Sequence, residues 1–251
     1  KRWPVYTEYD KKGRIASIRQ GEGKYERKTE FEYDPVTGYL MNEIGPIPNL
    51  VVSYERDNIG RVVGVTRPDG EEIGFGYDNN SNVTSVTVPS DPPVPAPAHG
   101  FTYTPINRLQ DYEPPHPDGG PDASRFVTTR LYNKDRQITN LLLPESQAID
   151  YTYEPKTGKL QQVDTSHASY GFTYDPVTGR RVAVSDSQGC SLAYTYDGRL
   201  LTSRTWSGPG CVNGTVGFEY DDHFRVKTVS VDDEQVSEYQ YDHDGLITDA
   251  G

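Results

Sequence analysis

A hexapeptide, Tyr-Asp-Pro-Val-Thr-Gly, stands at Tyr33–Gly38 and again, letter for letter, at Tyr174–Gly179. A third form, Tyr-Glu-Pro-Lys-Thr-Gly, spans Tyr153–Gly158. Exact recurrence across 141 residues marks an internal repeat, and a repeat constrains a fold more than any single motif. Its local physics is plain. An aromatic residue suited to extended backbone meets Asp-Pro; Pro presets the turn, Asp bonds the backbone that follows it, and Gly supplies a positive φ. Aliphatics then resume, as in Arg180-Arg181-Val182-Ala183-Val184. The unit reads as strand, tight loop, strand: a β-hairpin.

With the tyrosine as anchor, the register recurs at Tyr9, Tyr33, Tyr54, Tyr77, Tyr103, Tyr132, Tyr153, Tyr174, Tyr196, Tyr220 and Tyr241, about 23 residues apart. Two residues earlier comes Phe31, Phe75, Phe101, Tyr151, Phe172, Tyr194, Phe218 or Tyr239, and only Thr7, Val52 and Arg130 break this rule. Residues i and i+2 of a strand share a face, so each first strand offers two aromatics to one side. The residue after the anchor is acidic except at Thr104 and Asn133. Tyr196-Asp197-Gly198-Arg199-Leu200 carries the Asp-Gly signature of a type I′ turn. On the second strand, aliphatics fall three apart, as in Ile15/Ile18, Val62/Val65 and Val226/Val229. Either both faces are partly covered, or a bulge re-aims one of each pair. No helical periodicity competes.

Composition agrees with extended sheet and little core. Only 33% of the 251 residues are apolar, and 19 are Tyr, whose ring packs on a sheet while its hydroxyl is expected to stay in water. The 11% aromatic content is too high for a disordered chain. The formal charge of −12 makes nucleic acid and anionic membrane surfaces poor partners, and no apolar run reaches the roughly 20 residues of a membrane span. A start at Lys1 without Met reads as a mature piece or an excised segment.

Two stretches interrupt the rhythm. Residues 89–100 (PSDPPVPAPAHG) and 114–121 (PPHPDGGP) read as Pro-rich loops between repeats, with polyproline recognition segments as the other possibility. The register resumes after each, so residues 1–251 are expected to form one array.

The aromatic-x-Tyr-Asp-x-x-Gly-Arg-Leu/Ile pattern is carried best by Phe172–Val184, Tyr194–Leu201, Tyr151–Val163, Phe31–Leu40 and Tyr239–Ile247. It resembles the YD repeat of the Rhs family, which includes bacterial Rhs and wall-associated proteins, the shell components of insecticidal toxin complexes, and the animal teneurins. The resemblance implies an all-β fold of tandem hairpins in one continuous curved or spiralling antiparallel sheet, part of a hollow shell. It further implies a structural segment of a secreted or cell-surface protein, bacterial in type, enclosing a C-terminal toxin or other cargo. Partners would be the remainder of the parent polypeptide and that cargo; the eleven tyrosines would be structural residues. The family's aspartate-based self-cleavage core has no counterpart between Tyr241 and Gly251.

Chemistry is sparse in this reading, which expects no enzyme, no cofactor and no metal. His99, His116, His167, His223 and His243 all lie near turn signals. His223 and His243, with Asp221, Asp222, Asp242 and Asp244, stand at adjacent tips and could group ligands for a divalent ion, but Asp and Gly are also what such tips need. The SxxK, GxSxG, HExxH and P-loop motifs are absent. Alternative functions are a carbohydrate-binding or cell-adhesion surface, with Trp3 and Trp206 as stacking platforms for glycans or a cell-surface protein as partner, and a glycoside-active enzyme built on paired carboxylates. Sequons occur at Asn79-Asn80-Ser81, Asn82-Val83-Thr84 and Asn213-Gly214-Thr215. Cys190 and Cys211 fall in successive connections at one edge, where strands two apart are separated by about 10 Å. A disulfide there requires the two loops to lean together.

Overall fold

The computed structural model describes residues 3–90, 97–115 and 126–251. The chain divides into two compact units, Lys1–Thr129 and Arg130–Gly251. The first contains β1 (Val5–Tyr9), β2 (Ile15–Gln20), β3 (Arg27–Tyr33), β4 (Leu40–Ile44), β5 (Val51–Arg56), β6 (Val62–Thr66), β7 (Glu72–Tyr77), β8 (Val83–Thr87), β9 (Ala98–Tyr103) and β10 (Leu109–Glu113). Strand β11 (Thr128–Tyr132) crosses the division. The second unit continues with β12 (Ile138–Leu142), β13 (Ala148–Tyr153), β14 (Leu160–Asp164), β15 (Ser169–Tyr174) and β16 (Arg181–Asp186). It ends with β17 (Ser191–Asp197), β18 (Leu200–Ser207), β19 (Gly214–Tyr220), β20 (Val226–Val231), β21 (Glu234–Tyr241) and β22 (Ile247–Ala250). Within each unit consecutive strands pair antiparallel, so the protein is all-β. Among the described residues there is no α-helix. Most of the two Pro-rich stretches, including His116, lies outside the described residues.

A bulge settles how the aliphatic pairs fit. Tyr9 pairs with Ile15 and Glu8 with Ser17, so Ala16 is the extra residue. Ile18 then pairs with Thr7, and both isoleucines reach the tyrosine face. The same shift recurs before the tip, as in Tyr33–Leu40, Tyr77–Val83, Tyr174–Arg181 and Tyr241–Ile247. Three-residue spacing therefore builds one apolar face, because the inserted residue restores the alternation.

The two faces differ in chemistry. One carries rows such as Tyr151–Val163–Tyr170 and Phe172–Val184–Leu192. The other carries small and polar residues held by side-chain hydrogen bonds. Ser17, 3% exposed, donates from Oγ to Glu8 Oε2 at 2.8 Å, and Thr228 Oγ1 donates to Glu219 Oε2 at 2.9 Å. Among the described residues no apolar side chain is fully buried. Order therefore comes from ladders and cross-strand neighbours, without a central core.

Two local expectations need correction. Asp197 pairs with Leu200, which makes Gly198 and Arg199 the central turn residues in place of Asp197 and Gly198. Of these two only Gly198 has a positive φ, +52°, the pattern of a type II′ rather than a type I′ turn. His99 lies within β9, not in a turn, and its Nδ1 stands 2.9 Å from the Tyr112 hydroxyl.

Cys190 and Cys211 form a disulfide with a Cα–Cα distance of 6.1 Å. The approach is shorter than strand spacing suggests because the two connections lean together at glycine. A Cβ on Gly208 would collide with the Gly189 carbonyl, so only a bare backbone fits. The bond closes a loop spanning 21 residues around hairpin β17–β18. Reduction is expected to lower unfolding stability by about 3 kcal/mol, read from denaturant curves with and without reductant. The unreduced, denatured protein should titrate no thiols; a count of two would contradict the bond.

Candidate functional site

The recurrent assembly of side chains is a clasp between neighbouring hairpins, built from the turn upward. Asp10 accepts from the Lys12 and Arg14 backbone N–H groups at 2.8 and 2.9 Å through Oδ1. Its Oδ2 accepts from Arg14 Nε at 2.8 Å and Nη2 at 2.6 Å. One carboxylate thus closes the turn and aims the arginine, a two-pronged geometry that a guanidinium fits and an ammonium does not. Asp57 with Arg61 and Asp221 with Arg225 repeat the arrangement.

The aimed guanidinium then covers the tyrosine of the following hairpin. Arg14 Cζ lies 4.2 Å from the Tyr33 ring centroid, Arg61 4.6 Å from Tyr77, and Arg225 4.4 Å from Tyr241. Lys159 over Tyr174 and Arg180 over Tyr196 are looser, at 5.1 and 5.4 Å. The arginine also reaches the next turn: Nη1 donates to Gly38 O from Arg14 and to Asp78 O from Arg61, both at 3.0 Å.

The tyrosine returns the contact. Tyr33 donates its hydroxyl to Ile15 O at 2.8 Å, Tyr77 to Val62 O at 2.7 Å and Tyr103 to Val83 O at 2.9 Å. Tyr153, Tyr196, Tyr220 and Tyr241 do the same to Ile138, Arg181, Leu201 and Val226. These hydroxyls bond protein rather than staying in water as expected. Ile15, Val62, Val83, Arg181, Leu201 and Val226 are the residues that pair with the preceding anchor beside the bulge, so the tyrosine bonds the neighbouring hairpin at its register shift.

Tyr54 does not belong in the anchor series. The register shift in hairpin β5–β6 falls between Glu55 and Arg56, so Arg56 holds the anchor position and Tyr54 the aromatic position two residues before it. The clasp is kept with its partners exchanged. Tyr39 stands where Arg14, Arg61 and Arg225 stand in their hairpins, Arg56 Cζ lies 5.1 Å from its ring, and Arg56 Nε donates to Leu40 O at 3.5 Å. Spacing alone misled because Tyr54, which holds the aromatic position two residues before the anchor, is the one tyrosine of β5. The sign that could have revealed it is Asp57-Asn58-Ile59-Gly60-Arg61, a complete turn signature two residues late.

The remaining candidates do not converge. Tyr9, 64% exposed, ends the first described strand pair, and Tyr132 ends β11 ahead of the Asn133 turn. Asp221 and Asp242 are occupied by their own turns, His223 contributes its backbone N–H to Asp221, and among the described residues no three His, Cys, Asp or Glu side chains group as for a metal. Trp206 pairs with Leu192 and Gly214 within the sheet, and Trp3 lies near the amino terminus.

The clasp carboxylates have perturbed acidity. Lost hydration pushes the Asp221 carboxyl up, but hydrogen bonds from the Arg225 N–H and guanidinium and from the His223 N–H outweigh it and hold the group at about 2. At Asp10 the Arg14 backbone N–H leads the lowering. A depressed carboxyl stabilises the fold above its unfolded value, about 4, and that contribution is lost as pH falls toward the folded value. The melting temperature should therefore be flat from pH 7 to 5 and drop between about pH 4 and 2, with a smaller drop in Asp221→Asn. Tyr77→Phe should cost about 1 kcal/mol by leaving Val62 O without its donor. In a double-mutant cycle, Arg61→Ala and Tyr77→Phe should couple by about 0.5 kcal/mol or more, checked by urea unfolding.

Among solved structures, the Photorhabdus luminescens Tc holotoxin pore carrying the TccC3-D651A mutation is 15% identical, with a TM-score of 0.37; the match covers 98% of this chain and 17% of that one. The crystal structure of TcdB2-TccC3 is 14% identical over 98% of this chain and 18% of that one, with a TM-score of 0.36. The chain thus spans less than a fifth of these neighbours' length. No curated protein matches. The teneurin YD-shell family model matches residues 2–251, essentially the whole sequence, and the chain belongs to that family.

Proposed function

We propose that this chain is a wall segment of a secreted or surface protein, one hairpin array over residues 1–251 within a larger polypeptide, that encloses a toxin or other cargo domain and catalyses nothing itself. The observation that carries the reading is the clasp. It ties the hairpins β1–β2, β5–β6 and β19–β20 to their successors at the tip, where Asp, Arg and Tyr side chains are engaged with one another. A wall laid down along the chain needs such serial ties, since stability then accumulates unit by unit. Connections between hairpins vary in length without disturbing the tips, as the cost of loop length is small.

Enclosure is tested on the full parent polypeptide by native proteolysis, following the segment outside this array. The expected result is a protected segment in the wild type and at least tenfold faster cleavage after Arg14→Ala, Arg61→Ala and Arg225→Ala are combined. Equal cleavage in both proteins, at a rate matching the isolated segment, would remove the enclosure reading.

A further inference from the structure

The three sequons occupy different chemical environments. Asn213 lies in the connection between β18 and β19, two residues after the disulfide-bonded Cys211, and is exposed. Its Oδ1 accepts from the Gly208 N–H at 2.9 Å, while its Nδ2 has no partner among the described residues. Asn79 lies at the tip of hairpin β7–β8, exposed, with neither side-chain atom engaged among the described residues. Asn82 is different. It fills the position that Arg14 and Arg61 hold in their hairpins, and its Nδ2 donates to Asp78 Oδ2 at 2.9 Å and to Asn107 Oδ1 at 3.0 Å. Its backbone N–H also donates to Asp78 Oδ1 at 2.9 Å, so both ends of the residue belong to the turn.

We infer that Asn213 and Asn79 are acceptors for N-linked glycan and that Asn82 is not. In the transfer, the carboxamide Nδ2 forms a bond to the anomeric carbon of an oligosaccharide, loses one proton, and the lipid pyrophosphate of the donor departs. A sugar on Asn213 or Asn79 leaves every described hydrogen bond in place. On Asn82 it removes one of two N–H donors that close the turn and hold Asn107, which sits in the tip of the following hairpin. A chain glycosylated there keeps one N–H for two acceptors and leaves Asn80 Nδ2, 3.1 Å from Asn107 Oδ1, to hold the junction. The disulfide ties the inference to compartment, because such bonds persist in the oxidising secretory route where this modification takes place. The inference rests on the secreted or surface placement proposed above, taken with a eukaryotic secretory route in place of the bacterial type that the resemblance implied.

The test expresses the chain through a eukaryotic secretory pathway and recovers the fraction with no free thiols. Peptide N-glycosidase treatment should then give two downward mass steps. Asn213→Asp and Asn79→Asp, which retain the carbonyl-type acceptor, should each abolish one step, and Asn82→Asp should abolish none. Absence of glycan from Asn213 or Asn79, or its presence on Asn82, overturns the inference. Secreted protein that contains no thiol-free fraction would instead overturn the oxidising placement, so the two failures are distinguishable.

Discussion

The hydroxyl of a tyrosine and the guanidinium of the arginine before it are the tie on which this architecture depends. A hairpin pair has no reason of its own to remain beside the next pair beyond one backbone ladder. The clasp adds a hydrogen bond to a carbonyl near the bulge and a cation over an aromatic ring at the same point. Neither contact is strong alone; a cation over an exposed ring is worth about 0.5–1 kcal/mol, and a net hydrogen bond about the same. Their effect comes from repetition at successive junctions within each unit, fully at Tyr33, Tyr77 and Tyr241, and from the way one part prepares another. Asp10 rigidifies Arg14 before the arginine meets Tyr33, so less freedom is lost when the contact forms.

This arrangement explains how a chain with 33% apolar residues and no fully buried apolar side chain among those described can still be ordered. The bulge gathers Ile15 and Ile18, and their equivalents, onto the tyrosine face, so the scarce aliphatic surface is not divided between two sides. The opposite face is held by polar pairs: Thr102 and Thr129 both donate to Asp111, at 2.6 and 2.7 Å. Carboxylates are thereby used in turns and across strands, and among the described residues the acid behind the −12 charge does not group as for a metal.

Much of the fold was legible because hairpins are local. Turn chemistry at Asp34-Pro35 or Gly245, aromatic spacing in Phe172 and Tyr174, and a 23-residue rhythm all act within a few residues of one another. What escaped was whatever depended on a second hairpin. The destination of the Tyr33 hydroxyl is a carbonyl 18 residues earlier, invisible to a pattern read within one unit. The lean that joins Cys190 to Cys211 depends on Gly208 meeting Gly189 across a hairpin. Register at Tyr54 failed for the same reason: identity favoured the tyrosine, whereas the interaction was preserved by Arg56 and Tyr39 in exchanged roles.

That exchange offers the most direct test of the clasp as the organising interaction. Tyr39→Arg places two guanidiniums at the junction and Arg56→Tyr places two rings there, so each alone should lower urea-derived stability by about 1 kcal/mol. The double variant, Tyr39→Arg with Arg56→Tyr, rebuilds the clasp in the orientation of its neighbours and should return to within about 0.5 kcal/mol of the parent. Strictly additive losses in the double variant would contradict the account.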